Sequence, residues 1–496
     1  MAEMNVAQQA KTATVEEMDG SLLDQILSQT KLAPSDDGYD VAKKGVAAFI
    51  SELLKPTRAD SQVNSAAIDQ MIAELDRKLS AQVDQILHNE EFKTLESAWR
   101  SLKFIVDRTD FRQNIKIEMM NVSKDDLLTD FEDSPEIVKS GLYKHIYTAE
   151  YGQFGGQPVG AVVCNYAFGP GSQDVKLAQH CASVGAMAHA PIIAGAAPEM
   201  FGVDNFEEIP NLKDMESIFE GPKYTKWKSF RESEDSRYVG LTLPHILLRL
   251  PYGPETVPVE AFNFKEDVDG KDHSKYLWGN ASYAFATRLT EAFAKYSWCA
   301  AIRGVEGGGL VEGLPTHTFM TDDGEVALKC PTEIAITDRR EKELSDLGFI
   351  PLVHCKGTDY AAFFGAQSSQ KAKKYDTDSA NANARLSTQL QYILATSRFA
   401  HYLKAIMRDK IGSFMTRQNC QDYLNRWITN YVLLDDNASQ AAKAQYPLRE
   451  ARIDVSEVRG KPGVYRAVAF LKPHFQLDEL TVSLRLVAEL PTPVAK

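Results

Sequence analysis

The stretch VGAVVCNYAFGPGSQDVKLAQHCASVGAMAHAPIIAGA, residues 159–196, decides the fold class. Val159 to Tyr166 is apolar and β-branched and predicts a buried strand. Gly171 to Ala190 predicts a helix, and Pro191 to Ala196 a second buried strand. A strand, a helix and a strand of these lengths indicate an α/β body around a sheet.

Similar segments continue on both sides of this stretch and predict a body over residues 111–375. The polar segment from Gln367 to Ala384 indicates an exposed loop or a domain boundary. The further predicted strands are Ile115–Met119, Tyr238–Leu243, Ile246–Leu250, Glu333–Thr337 and Phe349–His354. The further predicted helices are Lys124–Phe131, Leu277–Cys299 and Asp338–Leu347.

Helices precede the body, and the long ones occupy residues 61–110. Val41 to Leu54 predicts one helix, and the apolar seam from Val63 to Ile86 predicts a long one. The next segment, HNEEFKTLESAWRSLKFIV (88–106), has apolar residues three or four apart. This spacing predicts a helix whose core face is Phe92, Leu95, Trp99, Leu102 and Val106.

An amphipathic peptide lies in the N-terminal arm, residues 1–60, within DGSLLDQILSQTKLAPSDDGYD (19–40). Its four apolar side chains would contribute about 6 kcal/mol gross on burial, and ordering the helix would cost about as much. It either docks on its own domain or is a recognition peptide that binds strongly only when many copies act together. The four residues are Leu22, Leu23, Ile26 and Leu27.

The C-terminal region, residues 376–496, begins with two predicted helices, Leu386–Ile411 and Thr416–Leu433. Alternating strands then flank the turn at 460–463, and Pro473 interrupts their pairing. The open edges of such a sheet accept a strand from another chain, or close in a local meander; the pattern leaves both open. The alternating apolar residues include Ile453 and Val455 in the first strand and Val482 and Leu484 in the last, and Val468 lies in the returning strand over residues 464–471.

Composition limits the kinds of partner. The chain has 496 residues and a formal net charge of −13, which argues against nucleic acid as the main partner. Its six cysteines form no C-x-x-C pair, so neither structural zinc nor a disulfide framework is expected. The uncharged run from Leu177 to Pro198 contains histidine, glutamine and proline, so we predict no membrane insertion. The N-terminus has no signal-peptide pattern, which predicts a cytoplasmic protein.

No catalytic, cofactor or metal site is predicted. The chain contains no P-loop, H-E-x-x-H or G-x-S-x-G motif. The glycines at 307–309 lack the strand-before, helix-after context of a dinucleotide site and predict a turn. His354 and Cys355 are adjacent strand residues, whose side chains point to opposite faces. Asp435 and Asp436 predict a charged loop tip. The alternative is a soluble cytoplasmic α/β enzyme with an unrecognised site.

Several stretches together resemble the large subunit of the type VI secretion contractile sheath, a relative of phage tail sheath proteins. They follow one another over nearly the whole chain, and His245 departs from the arginine expected after the preceding proline. They are SLLDQILSQTKLAPSDDGYD (21–40), HNEEFKTLESAWRSLKFIV (88–106), YGQFGGQPVGAVVCNYAF (151–168), KWKSFRESEDSRYVGLTLPHILLRLPYGPET (226–256), LWGNASYAFATRL (277–289), LSDLGFIPLVHCKGTDYAAFFGAQSSQ (344–370) and FLKPHFQLDELTVSLRLV (470–487).

The resemblance implies a mixed α/β (α+β) fold with a tail-sheath-like core, a helical N-terminal region and extended inter-subunit arms. It implies no enzyme and no cofactor. It also implies one-to-one pairing with a small sheath subunit, through residues 61–110, and polymerisation as hexameric rings stacked in a helical tube. That tube surrounds an inner tube of ring protein, is attached to a baseplate, and contracts to propel tube, spike and effectors.

The same resemblance assigns roles along this sequence. Residues 111–375 form the outer body and residues 376–496 the inner, tail-sheath-like domain. The peptide Leu22, Leu23, Ile26 and Leu27 is read by an AAA+ disassembly ATPase. Asp435 and Asp436 face the inner tube. The sheet shared between subunits contains Ile453, Val455, Val468, Val482 and Leu484.

Overall fold

A six-stranded sheet forms the centre of the fold. The computed structural model describes residues 38–53, 65–413, 416–459 and 464–476. The first four strands of the sheet are parallel, and the last two join it antiparallel. From one edge to the other, the strands are β1 (Val162–Phe168), β2 (Ile192–Ala196), β3 (Val239–Leu243), β9 (Ile350–His354), β10 (Ala361–Phe363) and β6 (Leu310–Val311).

The other strands of the described ranges form three antiparallel pairs. They are β4 (Ile246–Leu247) with β5 (Trp278–Gly279), β7 (Thr318–Met320) with β8 (Val326–Leu328), and β11 (Leu448–Glu457) with β12 (Tyr465–Pro473). The longer helices are α1 (Tyr39–Leu53), α2 (Ser65–Leu87), α3 (Glu90–Asp107), α4 (Lys124–Asp133), α5 (Ser172–Ala188), α6 (Met215–Glu220), α7 (Thr225–Glu232), α8 (Ala281–Tyr296), α9 (Asp338–Asp346), α10 (Asp378–Leu386), α11 (Leu390–Asp409), α12 (Arg417–Thr429) and α13 (Gln440–Gln445).

Two compact units divide the chain, residues 1–79 and residues 80–496. The described part of the first contains α1 and most of α2, and the central sheet belongs to the second. Both predicted N-terminal helices are confirmed. The predicted boundaries at residues 60, 110 and 375 stay predictions. The predicted site residues outside the described ranges are Leu22, Leu23, Ile26, Leu27, Val482 and Leu484.

The strand–helix–strand prediction for residues 159–196 is confirmed by β1, α5 and β2. All residues of β2 are buried, since helices cover both faces of the sheet. Gly195 is required in β2, because a Cβ there would lie 2.6 Å from Asn280 Nδ2. Asn280 is fixed: it caps the N-terminus of α8 by accepting from Ser282 N at 2.9 Å and donates to Tyr166 O at 3.1 Å. This contact fixes α8 against the sheet.

The C-terminal region has its own aromatic core. Trp298 stacks on Phe399 of α11 with ring centroids 4.2 Å apart. Leu424 and Ile428 of α12 complete this core together with Ile453 of β11. The predicted pair of helices and the predicted hairpin around residues 460–463 are therefore confirmed.

Three predicted elements differ in the structure. Residues Ile115 to Met119 belong to no strand, since they pair with no neighbouring strand in the described ranges. Glu333 to Thr337 is a connection into α9, and only Thr332 makes a single bridge, to Ile246. The predicted loop from Gln367 to Ala384 contains the start of α10. None of the residues of α10 is buried. A helix that packs no face against the core needs no stripe of apolar residues, and that stripe is the sequence pattern that predicts a helix.

Candidate assembly surfaces

Of the apolar face predicted to be the core face of α3, only Leu102 is partly buried, and the other four residues are exposed. Leu95 is 57% exposed and Trp99 is 59% exposed, and Phe92 and Val106 are also exposed. The face that α3 buries instead contains Ser101, Phe104 and Ile105. The prediction was wrong because α3 has a second apolar face, and Ser101 lets that face approach its neighbours closely. We call Phe92, Leu95, Trp99 and Val106 the α3 stripe.

Helix α3 is held by its other side. Asn89 caps the N-terminus by accepting from Glu91 N at 3.0 Å and from Phe92 N at 3.3 Å. Ser97 Oγ donates to Trp278 O at 2.7 Å, and Lys93 Nζ donates to Ser274 O at 2.6 Å. These bonds to the β5 region keep the α3 stripe directed away from the body.

A buried charge network also fixes α3. Arg249 Nε lies 2.9 Å from Glu96 Oε1, and Arg249 Nη1 lies 2.7 Å from Glu266 Oε2. Glu266 is 3% exposed and also accepts from Tyr252 N at 2.8 Å. Burial by itself would lower the pKa of Arg249, but Glu266 and Glu96 outweigh it and raise that pKa. Removing one partner from such a buried network costs about 3–5 kcal/mol.

Glu96 and Arg100, four residues apart in α3, also belong to this network. Arg100 Nε lies 2.6 Å from Glu96 Oε1, and Arg100 Nη2 donates to Tyr252 Oη at 2.8 Å. The sequence predicts only a surface pair worth tenths of a kcal/mol. In the structure, Glu96 is the residue through which α3 contacts Arg249. The buried charge network therefore fixes the helix that carries the α3 stripe.

Helix α2 also exposes apolar surface. Ile86 is exposed and, with Gln82, Gln85, Asn89 and Phe92, lines an open groove where α2 ends and α3 begins. In the unit that ends at residue 79, a helical face of α2 is about half exposed as well. Its residues are Ile72, Leu75 and Leu79. Exposed apolar patches of this kind are typical of protein-interaction surfaces.

The hairpin β11–β12 has one blocked edge. Asn425 of α12 donates through Nδ2 to Ile453 O at 2.7 Å and accepts from Ile453 N at 2.9 Å. Gln421 Oε1 accepts from Val455 N at 3.0 Å. These side chains bind the backbone groups that an added strand would bind. The predicted inter-subunit residues Ile453 and Val455 also bury their side chains in the core against α12.

The other edge belongs to β12. Ile453 is the partner of Ala469 across the hairpin. The N–H and C=O of Ile453 point away from β12, towards Asn425, so Ile453 and Ala469 form a non-hydrogen-bonded pair. The N–H and C=O of Ala469 therefore point outwards from β12, as do those of Ala467. Val468, the next predicted inter-subunit residue, is 42% exposed beside them. In the described ranges, β12 thus offers backbone groups for strand addition, whereas β11 is blocked at Ile453 and at the N–H of Val455.

Asp435 and Asp436 lie at an exposed loop after α12, as predicted. Asp436 Oδ2 pairs with Arg449 Nη2 at 2.6 Å, and Asp435 Oδ1 accepts from Asn437 N at 2.9 Å. Through Arg449, which lies in β11, Asp436 contacts the base of the β11–β12 hairpin. Their predicted contact with an inner tube stays a prediction.

The structure describes no catalytic constellation at the positions that the sequence raised. The glycine loop 307–309 packs as a turn on β10, with Phe363 N donating to Gly309 O at 3.0 Å. His245, which stands where an arginine is expected, still pairs with an acidic side chain, since its Nδ1 lies 2.7 Å from Glu333 Oε2. Within the described ranges, no three His, Cys, Asp or Glu residues cluster as metal ligands, and no helix has the length and apolar character to span a bilayer.

Two family models match the chain. The first, the EvpB/VC_A0108 tail sheath N-terminal domain, matches residues 69–370. The second, the EvpB/VC_A0108 tail sheath gpW/gp25-like domain, matches residues 379–490. A relative, the type VI secretion system sheath protein TssC1 of Pseudomonas aeruginosa, is 46% identical over 501 residues and 99% of each chain is covered.

The chain belongs to the type VI secretion sheath family, as a large subunit. This confirms the resemblance, the mixed fold with a tail-sheath core, and the prediction that the protein is structural and not an enzyme. The enzyme alternative is thereby rejected. Like its relatives, the type VI sheath subunit works as part of a contractile sheath, so surfaces exposed in the single chain are candidate contacts between subunits.

Two solved assemblies are also similar to this sheath subunit. The baseplate of the anti-feeding prophage has a chain with a TM-score of 0.35 and 8% identity, covering 64% of this chain and 66% of that one. The contracted helical sheath of the anti-feeding prophage has a chain with a TM-score of 0.31 and 11% identity, covering 66% of this chain and 70% of that one.

Proposed function

We propose that this chain pairs one-to-one with a small sheath subunit and polymerises with it in the cytoplasm. The pairs stack as hexameric rings in a helical tube around an inner tube and on a baseplate. Contraction repacks the interfaces between subunits and propels tube, spike and effectors outwards. A small free-energy gain at each interface, summed over many subunits, drives this motion. The observation that carries the proposal is the exposed α3 stripe on its fixed support.

The α3 stripe alone is too small for stable pairing. Its four partly exposed side chains would contribute about 4–6 kcal/mol gross on burial. Association costs about 4–15 kcal/mol in lost freedom of motion. A second contact is therefore needed, and we assign it to the outer edge of β12, where an arm of a neighbouring subunit adds a strand. The small sheath subunit covers the α3 stripe.

Co-expression with the small sheath subunit tests the function. We expect tubules in negative-stain electron microscopy, because both partners then cover their exposed surfaces. Compact monomers of this chain, with and without the small subunit, would contradict the proposal. Images that resolve the lumen also test whether Asp435 and Asp436 face the inner tube.

The N-terminal peptide around Leu23 and Ile26 is proposed as the element that an AAA+ disassembly ATPase binds. One copy binds weakly, since ordering the helix costs about as much as its burial gains. A sheath displays many copies, so the effective concentration is high and the ATPase distinguishes sheath from free subunits.

Replacing Leu23 and Ile26 together by aspartate is expected to leave tubules intact. ATPase-driven disassembly should slow at least about tenfold, because a loss of ~1.4 kcal/mol of binding free energy weakens binding tenfold. Light scattering of tubules mixed with the ATPase and ATP measures the rate. Gln25→Asp, on the polar face of the same peptide, is the matched control and should disassemble normally. Loss of tubules in the double variant would mean that the peptide is structural.

A further inference from the structure

A buried cluster of histidines and aromatic rings joins helix α11 to the body. Helix α11 lies in the region that matches the second family model, whereas α5 lies in the region that matches the first. His401 of α11 is 3% exposed, and its Nε2 lies 2.9 Å from Ala188 O, the last carbonyl of α5. The rings of Tyr151 and His189 pack against the His401 ring, with centroids 5.2 Å and 6.3 Å away. His401 therefore connects the two regions both by a direct hydrogen bond and by packing.

The position of the ring proton of His401 follows from this geometry. A carbonyl oxygen only accepts hydrogen bonds, so Nε2 carries the proton that bonds to Ala188 O. Nδ1 is buried, and no group in the described part of the chain bonds to it. A second proton on the ring would go to Nδ1 and would be a buried, charged donor without an acceptor. Burying such a group unpaired is unfavourable.

A positive charge already lies in this cluster. Lys404 Nζ lies 3.6 Å from the centroid of the Tyr151 ring and 4.5 Å from that of the Tyr147 ring. It also donates to Tyr147 Oη at 3.1 Å. The Tyr151 ring thus contacts both the Lys404 ammonium and the His401 ring. A protonated His401 would be repelled by this ammonium, and buried surroundings strengthen the repulsion.

Two carboxylates on the elements packed around His401 bind other groups. Glu150 Oε2, in the π-helix Lys144–Tyr151, accepts from Gln157 N at 2.6 Å. Asp235, shortly before β3, accepts from Ser183 Oγ at 2.9 Å. The other titratable or charged groups of the cluster are Arg398, Lys404 and Arg408 on α11, His189 after α5, Tyr147 and Tyr151 on the π-helix, and Tyr238 before β3. The positive charge that α11 brings to the cluster therefore opposes protonation of His401.

The acid–base properties of the two histidines agree with this geometry. Burial lowers the pKa of His401 to about 4, and the charges of Arg398, His189 and Lys404 act in the same direction, although the bond to Ala188 O opposes them. Burial and then Lys404 lower the pKa of His189 as well. A histidine with a lower pKa in the packed form than in the open form takes up a proton preferentially in the open form. The contribution of His401 to packing is therefore complete above the ordinary histidine pKa of about 6.5 and declines as the pH falls towards about 4.

We propose that His401 is a pH-sensitive latch between α11 and α5. While the His401 ring is neutral, α11 stays packed on the body, and a second proton on Nδ1 opens this contact. Opening exposes the imidazolium to water and separates it from the cations of the cluster. Phe399, two residues earlier on α11, lies in the aromatic core of the C-terminal region, so the opening also loosens that core. This inference goes beyond the proposed role in a sheath and concerns the single chain.

Hydrogen exchange of the full-length protein tests the latch. Mass spectrometry of peptides from α11 measures its opening at about pH 7 and about pH 5, after division by the intrinsic exchange rate at each pH. We expect the opening constant to be at least about tenfold larger at the lower pH, because one proton bound preferentially by the open form changes the equilibrium up to about tenfold per pH unit. Peptides from β2 should keep their protection. An equal loss of protection in β2 would mean that acid unfolds the whole body and would overturn the latch.

Two histidine variants show which residue takes up the proton. In His401→Gln, the amide can still donate to Ala188 O but does not titrate, so the increase in opening at low pH should disappear. His180→Gln is the matched control, since His180 lies on α5 itself and stacks on Phe131, and it should keep the full increase. The proposal is overturned by an unchanged increase in His401→Gln or by its loss in His180→Gln.

Lys404→Met gives a second test, which stands even where His401→Gln fails to fold. Methionine keeps an aliphatic side chain over the Tyr151 ring but removes the ammonium, so protonation of His401 is less unfavourable in the packed form. The ratio of the opening constants at the two pH values should therefore be smaller than in the parent protein. An equal or larger ratio would contradict the latch.

Discussion

Replacing Leu95 and Trp99 together by aspartate is expected to abolish tubule formation with the small sheath subunit. Truncating an aromatic anchor in an interface costs about 2 kcal/mol or more. Aspartate also adds a charge that an apolar partner surface would have to bury unpaired. Two such changes weaken pairing by about 4 kcal/mol, or roughly a thousandfold. Sedimentation of co-expressed protein and negative-stain images measure the loss.

The folded chain itself should tolerate this change. Both side chains are more than half exposed, so the thermal unfolding midpoint should stay within a few degrees of the parent protein. Thr94→Asp adds a charge to the same helix off the α3 stripe and is the matched control, expected to form tubules. Normal tubules from the double variant would show that the α3 stripe is not the surface for the small subunit.

The Ala469→Pro variant is expected to block polymerisation and to keep the hairpin. The N–H of Ala469 points outwards, so proline removes a donor that only an added strand would use, and its ring obstructs the edge. Losing that bond and the close approach of the strand should raise the concentration needed for assembly at least about tenfold, the effect of ~1.4 kcal/mol. Sedimentation over a dilution series measures this concentration.

Two variants at neighbouring positions are controls. Ala469→Val keeps the N–H and should assemble normally. Val468→Pro removes an N–H that points inwards to Asp454, its partner on β11, so it should lower the thermal unfolding midpoint as well. Assembly of Ala469→Pro at the parent concentration, with an intact hairpin, would mean that no strand is added to β12.

Local sequence patterns predicted those helices and strands whose apolar period and end residues lie within one short segment. The strands and helix of residues 159–196 appear within a few positions of their predicted ends, since apolar runs, glycines and prolines act within each segment. The helices at 417–429 and 390–409 and the C-terminal hairpin were predicted for the same reason. The exposed helix α10 was missed, because it has no buried face and so no apolar period.

The candidate site depended on contacts between distant segments. The apolar period of α3 predicts a helix, but which of its two faces is buried depends on what packs against it. The edge of β11 is blocked by Asn425, which no strand pattern announces.

The sequence by itself determined the fold class, the order of most elements and the family, because these depend on periodicity and on motifs that lie contiguously along the chain. Only the tertiary structure decided which apolar face of α3 is left uncovered and which edge of the hairpin stays open. The physical reason is that the burial of a side chain and the hydrogen bonding of a strand's backbone groups both depend on which other segment packs against them. A residue's own neighbours in sequence do not specify what will cover it.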